Sequence, residues 1–150
     1  MAGEGVLATL LAGWKALARI DAAKAVVGGL ALTAWKHARY TRDADVLLAS
    51  GDFQLAAVAR AVPWPEPSDA LGIRVVRADD LVVIKLLAGR IIDRADAAML
   101  LQENRAEIDF TRLHDEVVRQ GVVAEYREAW QDAFPSAPAP DVRAKDNQST

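Results

Sequence analysis

The sequence contains no cysteine, only two histidines and no long apolar run. The missing cysteines exclude disulfides, thiolate zinc sites and cysteine nucleophiles. The two histidines, His37 and His114, lie too far apart in the chain to form a metal-binding motif. The longest apolar run, residues 25–35, is well short of the roughly 20 residues that a membrane-spanning helix needs. Neither cysteine-based chemistry nor a membrane-spanning helix is therefore expected.

Excess positive charge is also missing. The formal net charge is -3 and the pI is about 5.4, so the chain as a whole has no electrostatic footprint for nucleic acid. A local basic cluster is formed by Lys36, His37, Arg39 and Arg42. Glu4 stands where a signal peptide would carry positive charge, so export is not predicted and a cytoplasmic location is expected.

The composition is that of a soluble globular protein, because 52% of the 150 residues are hydrophobic and 26% are charged. A chain of this length most often forms one domain. We place that domain at residues 1–134. Residues 135–150 are rich in proline, alanine and polar types, which predicts a disordered tail.

The apolar periodicity predicts an α/β (α+β) fold, with a small mixed sheet flanked by helices and a helical C-terminal half. Predicted helices cover residues 6–19, 30–38, 53–61, 93–104, 107–119 and 123–134, and a further helix over residues 78–91 has Asp79 or Asp80 as its cap. Predicted strands cover residues 25–27, 44–49 and 73–77, of which 44–49 contains a continuous apolar run at residues 46–49 and is expected to be a buried central strand.

Two glycines and two aspartates form the most informative pattern. Gly28 and Gly29 stand between a strand and a helix, where backbone N–H groups can approach phosphate without interference from a Cβ atom. Asp43 and Asp45 alternate on the next strand, which puts both carboxylates on one face about 6.5–7 Å apart, a spacing that suits a divalent cation. Gly-Gly is also a common tight turn, and a lone Asp-x-Asp is common by chance, so the residues alone leave both interpretations open.

The segment "GGLALTAWKHARYTRDADVLL" resembles the signature of the nucleotidyltransferase superfamily, in which Gly-Gly, a helix and Asp-x-Asp follow one another. Within it, "RYTRDADV" is similar to the R-x-T-x-D-x-D segment of small bacterial members, which include the toxins of abortive-infection toxin–antitoxin systems. The segment "ADDLVVIKLLAGRIIDRADAAMLL" resembles the helix pair of the same proteins. The resemblance implies a minimal nucleotidyltransferase-like fold.

The resemblance also implies a site and a reaction. Asp43 and Asp45 would hold Mg²⁺ or Mn²⁺, and Lys85 would reach toward phosphate as the third catalytic residue. The positions that match nucleotide-binding residues are Gly28, Gly29, Arg39, Thr41 and Arg90. Asp93 and Asp96 match further acidic positions of less settled role. An acceptor hydroxyl on RNA, protein or a small molecule would attack the α-phosphate of a nucleoside triphosphate, and an antitoxin-like protein would be a possible partner.

The sequence departs from the superfamily pattern in three places. Trp35 and Lys36 stand where His-Gly is usual, and "GRIID" replaces a Gly-Arg-Pro-Lys-Asp run. A third carboxylate usually comes from a further strand, but Asp52, Glu66 and Asp69 all lie outside apolar strands. These departures support an alternative, a catalytically degenerate module of the same fold that binds a nucleotide or a protein partner.

Several candidate residues also have an ordinary structural interpretation. Lys85 would pack its stem on apolar neighbours and extend its ammonium group to water, and Arg90 with Asp93 would form an i,i+3 ion pair. Arg39 and Arg42 would either bind phosphate or screen the two aspartates when no metal is present. His37 is interpreted as a solvated helix-end residue and His114 as a surface residue.

Overall fold

The computed structural model describes residues 4–37, 40–64 and 72–143. The first half of the chain supplies short strands and helices, in the order α1 (Glu4–Leu17), β1 (Lys24–Val27), α2 (Gly28–Ala34), β2 (Asp45–Leu48), α3 (Asp52–Arg60) and β3 (Val62–Pro63). The second half begins with β4 (Arg74–Val75) and continues as α4 (Ala78–Ala88), α5 (Ile91–Glu103), α6 (Phe110–Gln120) and α7 (Val123–Ala133).

The four strands form one mixed sheet in the order β2-β1-β4-β3. β1 pairs antiparallel with β2 and parallel with β4, and β3 pairs antiparallel with β4. This arrangement confirms the predicted α+β class, with its small mixed sheet and helical C-terminal half. The prediction that residues 44–49 form a central strand is wrong, because β2 is an edge strand, and its Leu48 is 42% exposed.

Helix α4 is the centre of the helical half. Its buried side chains include Leu81, Val82, Val83 and Leu86, and it packs against α5 and α6, while α5 also packs against α7. The prediction that Asp79 or Asp80 caps this helix is wrong. The helix begins after Arg77, and the two aspartates lie in its first turn.

Trp35, at the C-terminal end of α2, connects the sheet to the helical half. Its indole Nε1 donates a hydrogen bond to the carbonyl oxygen of Val76 at 2.7 Å. Its own carbonyl accepts a hydrogen bond of 2.8 Å from Nδ2 of the fully buried Asn104, at the end of α5. These two bonds fix the end of α2 relative to β4 and α5, so Trp35 acts as a structural residue.

The packed part of the chain extends beyond the predicted domain boundary at residue 134. Val142 is buried in the main apolar core, and Ala139 packs against it. The remainder of the predicted tail, residues 144–150, lies outside the described residues, as do Arg39, Glu66 and Asp69. Within the described ranges, no helix combines the length and apolar character that crossing a bilayer requires.

Candidate functional site

Gly28 is the junction between β1 and α2, and it is in close contact with Asp45. Its φ of +66° is a conformation that side-chain-bearing residues rarely adopt. A Cβ atom at this position would collide with the carboxyl group of Asp45. The contact follows from the sheet register, since Asp45 pairs with Val27, the residue before Gly28. Backbone conformation and close approach therefore both favour glycine here.

Gly29 is in similar contact with Thr41. A Cβ atom on Gly29 would lie 2.7 Å from Cβ of Thr41 and 2.8 Å from its Oγ1. The Thr41 hydroxyl in turn accepts a hydrogen bond from the Asp43 backbone N–H at 3.3 Å and donates one to the Asp43 carbonyl at 3.2 Å. We call Gly28, Gly29, Thr41, Asp43 and Asp45 the glycine–aspartate corner, because these contacts bring the two sequence motifs together.

The two aspartates of the corner are exposed, but they do not lie on one strand. Asp45 is the first residue of β2, and Asp43 belongs to the segment before it, so the predicted alternation along a strand is wrong for Asp43. Two carboxylates are hard oxygen donors that suit Mg²⁺ or Mn²⁺, with water and substrate oxygens as further ligands. Among the residues that the structure describes, no three His, Cys, Asp or Glu side chains come close enough to hold a metal ion. Asp52, one candidate third carboxylate, begins α3 instead.

The other predicted site residues meet between α4 and α5. Lys85 is only 5% exposed, and its Nζ lies 3.1 Å from Oδ1 of Asp93 and 2.9 Å from Oδ2 of Asp96. Arg90 donates to both carboxylate oxygens of Asp93, at 2.5 and 3.2 Å. Nε2 of His37 lies 3.4 Å from Oδ1 of Asp96. We call these five residues the lysine cluster. His37 is therefore not the solvated helix-end residue that the sequence predicts.

Electrostatics within the lysine cluster favour the charged forms of Asp93 and Arg90. Burial acts to raise the pKa of Asp93, but the hydrogen bonds from Arg90 and Lys85 outweigh burial and lower this pKa below its ordinary value. The hydrogen bond to Asp93 raises the pKa of Arg90, and the charges of Asp96 and Asp45 contribute to that increase. Because Asp45 contributes, the lysine cluster and the glycine–aspartate corner lie within electrostatic range of each other.

A second group of buried charges lies at the start of α4. Asp80 accepts hydrogen bonds from Arg60 of α3 at 3.0 and 2.5 Å, and Arg112 of α6 also contacts it, at 3.4 and 3.5 Å. Arg112 donates a further hydrogen bond to Asp79. We call these four residues the arginine–aspartate cluster. The sequence interpretation missed it, because its members come from three separate helices.

His114 and Tyr126 form a polar contact inside the helical half. Nε2 of His114 lies 3.0 Å from the hydroxyl of the fully buried Tyr126. Burial lowers the pKa of His114 and raises that of Tyr126. His114 is half-buried rather than fully at the surface as predicted, and its contact with Tyr126 places it between α6 and α7 rather than at the site.

Comparison with known proteins identifies no family for this chain. No family model matches it, and no curated protein is significantly similar to it in sequence.

Proposed function

We propose that the chain is a metal-dependent nucleotidyltransferase whose site is the glycine–aspartate corner. The observation that carries the proposal is the contact of Gly28 with Asp45 and of Gly29 with Thr41. Two motifs that are separated in the sequence share one surface, as a combined phosphate and metal site requires. The exposed position of both aspartates leaves their oxygens accessible to a cation and to substrate.

Each part of the corner has a distinct role in this proposal. Asp43 and Asp45 would hold Mg²⁺ or Mn²⁺, which would supply positive charge to neutralise the triphosphate. Thr41 holds the backbone of Asp43 through its two hydrogen bonds and thereby orients that carboxylate. Arg90 is exposed and within range of Asp45, so it adds positive charge beside the leaving phosphates. The acceptor oxygen would bond to the α-phosphorus as the bond to pyrophosphate breaks.

The test is a transfer assay with each labelled nucleoside triphosphate, Mg²⁺ or Mn²⁺, and candidate acceptors. RNA, protein and small hydroxyl compounds are tested separately. We expect the native chain to transfer label or to release pyrophosphate, and Asp43→Ala and Asp45→Asn to reduce the rate by a factor on the order of 100 or more. Lack of activity with every triphosphate, or equal activity in the variants, would contradict the proposal.

Asp21→Asn is the matched control for these variants. Asp21 is exposed and precedes β1 at the end of the strand opposite Gly28. Its substitution removes the same charge from the same kind of surface without changing the corner. We expect this variant to retain the native rate.

One observation favours a second candidate function, a nucleotide- or partner-binding module without catalysis. Lys85, which a catalytic role would direct toward phosphate, is nearly fully buried between Asp93 and Asp96. In this candidate, the lysine cluster stabilises the fold, and the corner binds a nucleotide or a partner without catalysing a reaction. Calorimetric titration with a triphosphate separates the two candidates, because weak binding that does not depend on Mg²⁺, without pyrophosphate release, would favour the binding module.

A further inference from the structure

Tyr40 and Arg42 form an exposed pair directly before the two aspartates of the corner. Tyr40 is 69% exposed, although it is a large aromatic residue. The guanidinium carbon of Arg42 lies 5.7 Å from the centre of the Tyr40 ring, and Arg42 is itself exposed. An exposed tyrosine beside an arginine presents two flat, polarisable groups to solvent.

The position of this pair follows from Thr41, the residue between its members. Thr41 is anchored toward the protein, because its side chain packs against Gly29 and its hydroxyl bonds to the backbone of Asp43. Tyr40 and Arg42 are instead directed to solvent. The pair is thus fixed beside Asp43 by the same contacts that assemble the corner.

We propose that Tyr40 and Arg42 are a stacking platform for a nucleobase, and that this base belongs to the nucleoside triphosphate bound at the corner. The inference rests on the proposed function. Aromatic rings and guanidinium planes stack on the face of any base and therefore bind without strong sequence preference. Arg42 also adds a cation beside the phosphates. Phosphate and metal contacts would come from the corner, and the base contact would come from this pair.

The test compares a ligand that has a base with one that has none. Binding of ATP and of inorganic tripolyphosphate is measured by calorimetry in the presence of Mg²⁺. We expect Tyr40→Ala to weaken ATP binding by about 10-fold and to leave tripolyphosphate binding unchanged. Tyr40→Phe retains the ring and should bind ATP with native affinity. Asp45→Asn should weaken the binding of both ATP and tripolyphosphate.

Arg42→Lys separates stacking from charge at the second position of the platform. Lysine keeps the positive charge but loses the planar guanidinium. We therefore expect weaker ATP binding and unchanged tripolyphosphate binding. Arg127→Lys is the matched control, because Arg127 is also an exposed arginine but lies on α7. Circular dichroism should show native folding for all of these surface variants.

Each outcome bears on the inference in a defined way. Native ATP affinity in Tyr40→Ala, or equal weakening of ATP and tripolyphosphate, would overturn it while leaving the proposed function intact. The stacked base could instead belong to a nucleic-acid acceptor, and binding of a single-stranded oligonucleotide tests this alternative. If Tyr40→Ala weakens the oligonucleotide but not ATP, the assignment to the triphosphate is wrong. If neither ATP nor tripolyphosphate binds to the native chain, both this inference and the proposed function fail.

Discussion

The glycine–aspartate corner and the lysine cluster use carboxylates in opposite ways. In the corner, Asp43 and Asp45 are exposed at the edge of the sheet. In the lysine cluster, Asp93 and Asp96 are 1% and 2% exposed, and both lie within ion-pair distance of Lys85. The two groups lie within electrostatic range of each other. They differ in solvent exposure and in the cations around them.

This difference separates carboxylates that can accept a ligand from those that hold the fold together. A buried charge that loses its partner is strongly unfavourable, whereas an exposed charge retains water. Substitutions in the lysine cluster should therefore affect stability first, and substitutions in the corner should affect binding and activity. Four predictions follow from the largest expected effect on stability to the smallest.

Lys85→Met should destabilise the protein by about 3–5 kcal/mol, because it leaves Asp93 and Asp96 buried without their shared cation. Urea unfolding at neutral pH measures this change. Lys15→Met, on the exposed face of α1, is the control and should change stability by less than about 0.5 kcal/mol. If Lys85→Met retains native stability but loses activity, Lys85 belongs to the site, and the contrast between the two regions is wrong.

Asp80→Asn should cost about 2–3 kcal/mol, because it removes the negative charge that Arg60 and Arg112 share. The estimate is lower than for Lys85 because both arginines are partly exposed and retain some water. Thermal unfolding measures the loss, with Asp21→Asn as the exposed control. The triphosphate binding proposed for the corner should not change, and a selective loss of binding without a loss of stability would contradict a structural role for the arginine–aspartate cluster.

Gly28→Ala and Gly121→Ala should cost a similar amount of stability, about 1–2 kcal/mol, because both glycines have positive φ, +66° and +71°. They differ in their surroundings. A Cβ atom at Gly28 meets the Asp45 carboxyl group, whereas a Cβ atom at Gly121 meets nothing within 4 Å. Only Gly28→Ala should therefore displace Asp45 and weaken Mg²⁺-dependent triphosphate binding. Equal binding by the two variants would show that the Asp45 position is not critical.

Acidification should destabilise the protein through His114 before it does so through Asp93. Burial lowers the pKa of His114 in the folded protein below 6.5, so the unfolded chain binds the proton more readily and stability falls as the pH decreases below about 6.5. Asp93 affects stability only at lower pH. Its pKa in the folded protein lies below 3.8, so the stability that its charged form provides is lost only as the pH falls below that value. His114→Gln should remove the first of these two losses in urea unfolding measured between pH 7.5 and 5, and an unchanged pH dependence would contradict this assignment.

The sequence predicted the helices more accurately than the strands. The predicted range 123–134 nearly coincides with α7 (Val123–Ala133), and Gly121, just beyond the predicted range 107–119, ends α6, because amphipathic spacing and helix stops are local signals. The β3 strand at Val62–Pro63 was missed, because its proline favours an irregular segment. The edge position of β2 was also missed, because a continuous apolar run is found in edge and central strands alike.

The candidate site was predicted as two motifs, but their contacts depend on tertiary structure. The pairing of Val27 with Asp45 brings the glycines to the carboxylates. Burial of Lys85 between Asp93 and Asp96 depends on how α4 packs against α5. Spacing within α4 could not show whether the ammonium group turns toward solvent or toward its neighbour. The residues of the two motifs were therefore identifiable in the sequence, but the division of the charges into exposed and paired groups was not.

Because β2 is an edge strand, the charge of its first residue, Asp45, is expected to oppose aggregation through pairing with another chain. An edge strand leaves one row of backbone N–H and C=O groups open to pairing with another chain, and charged side chains oppose that pairing. Asp45 begins β2, and Asp43 lies just before it. Removing these charges leaves a short apolar strand, Val46 to Leu48, at the edge of the sheet. Replacing both aspartates by alanine should therefore lower the solubility of the protein as well as the proposed metal-dependent activity of the corner.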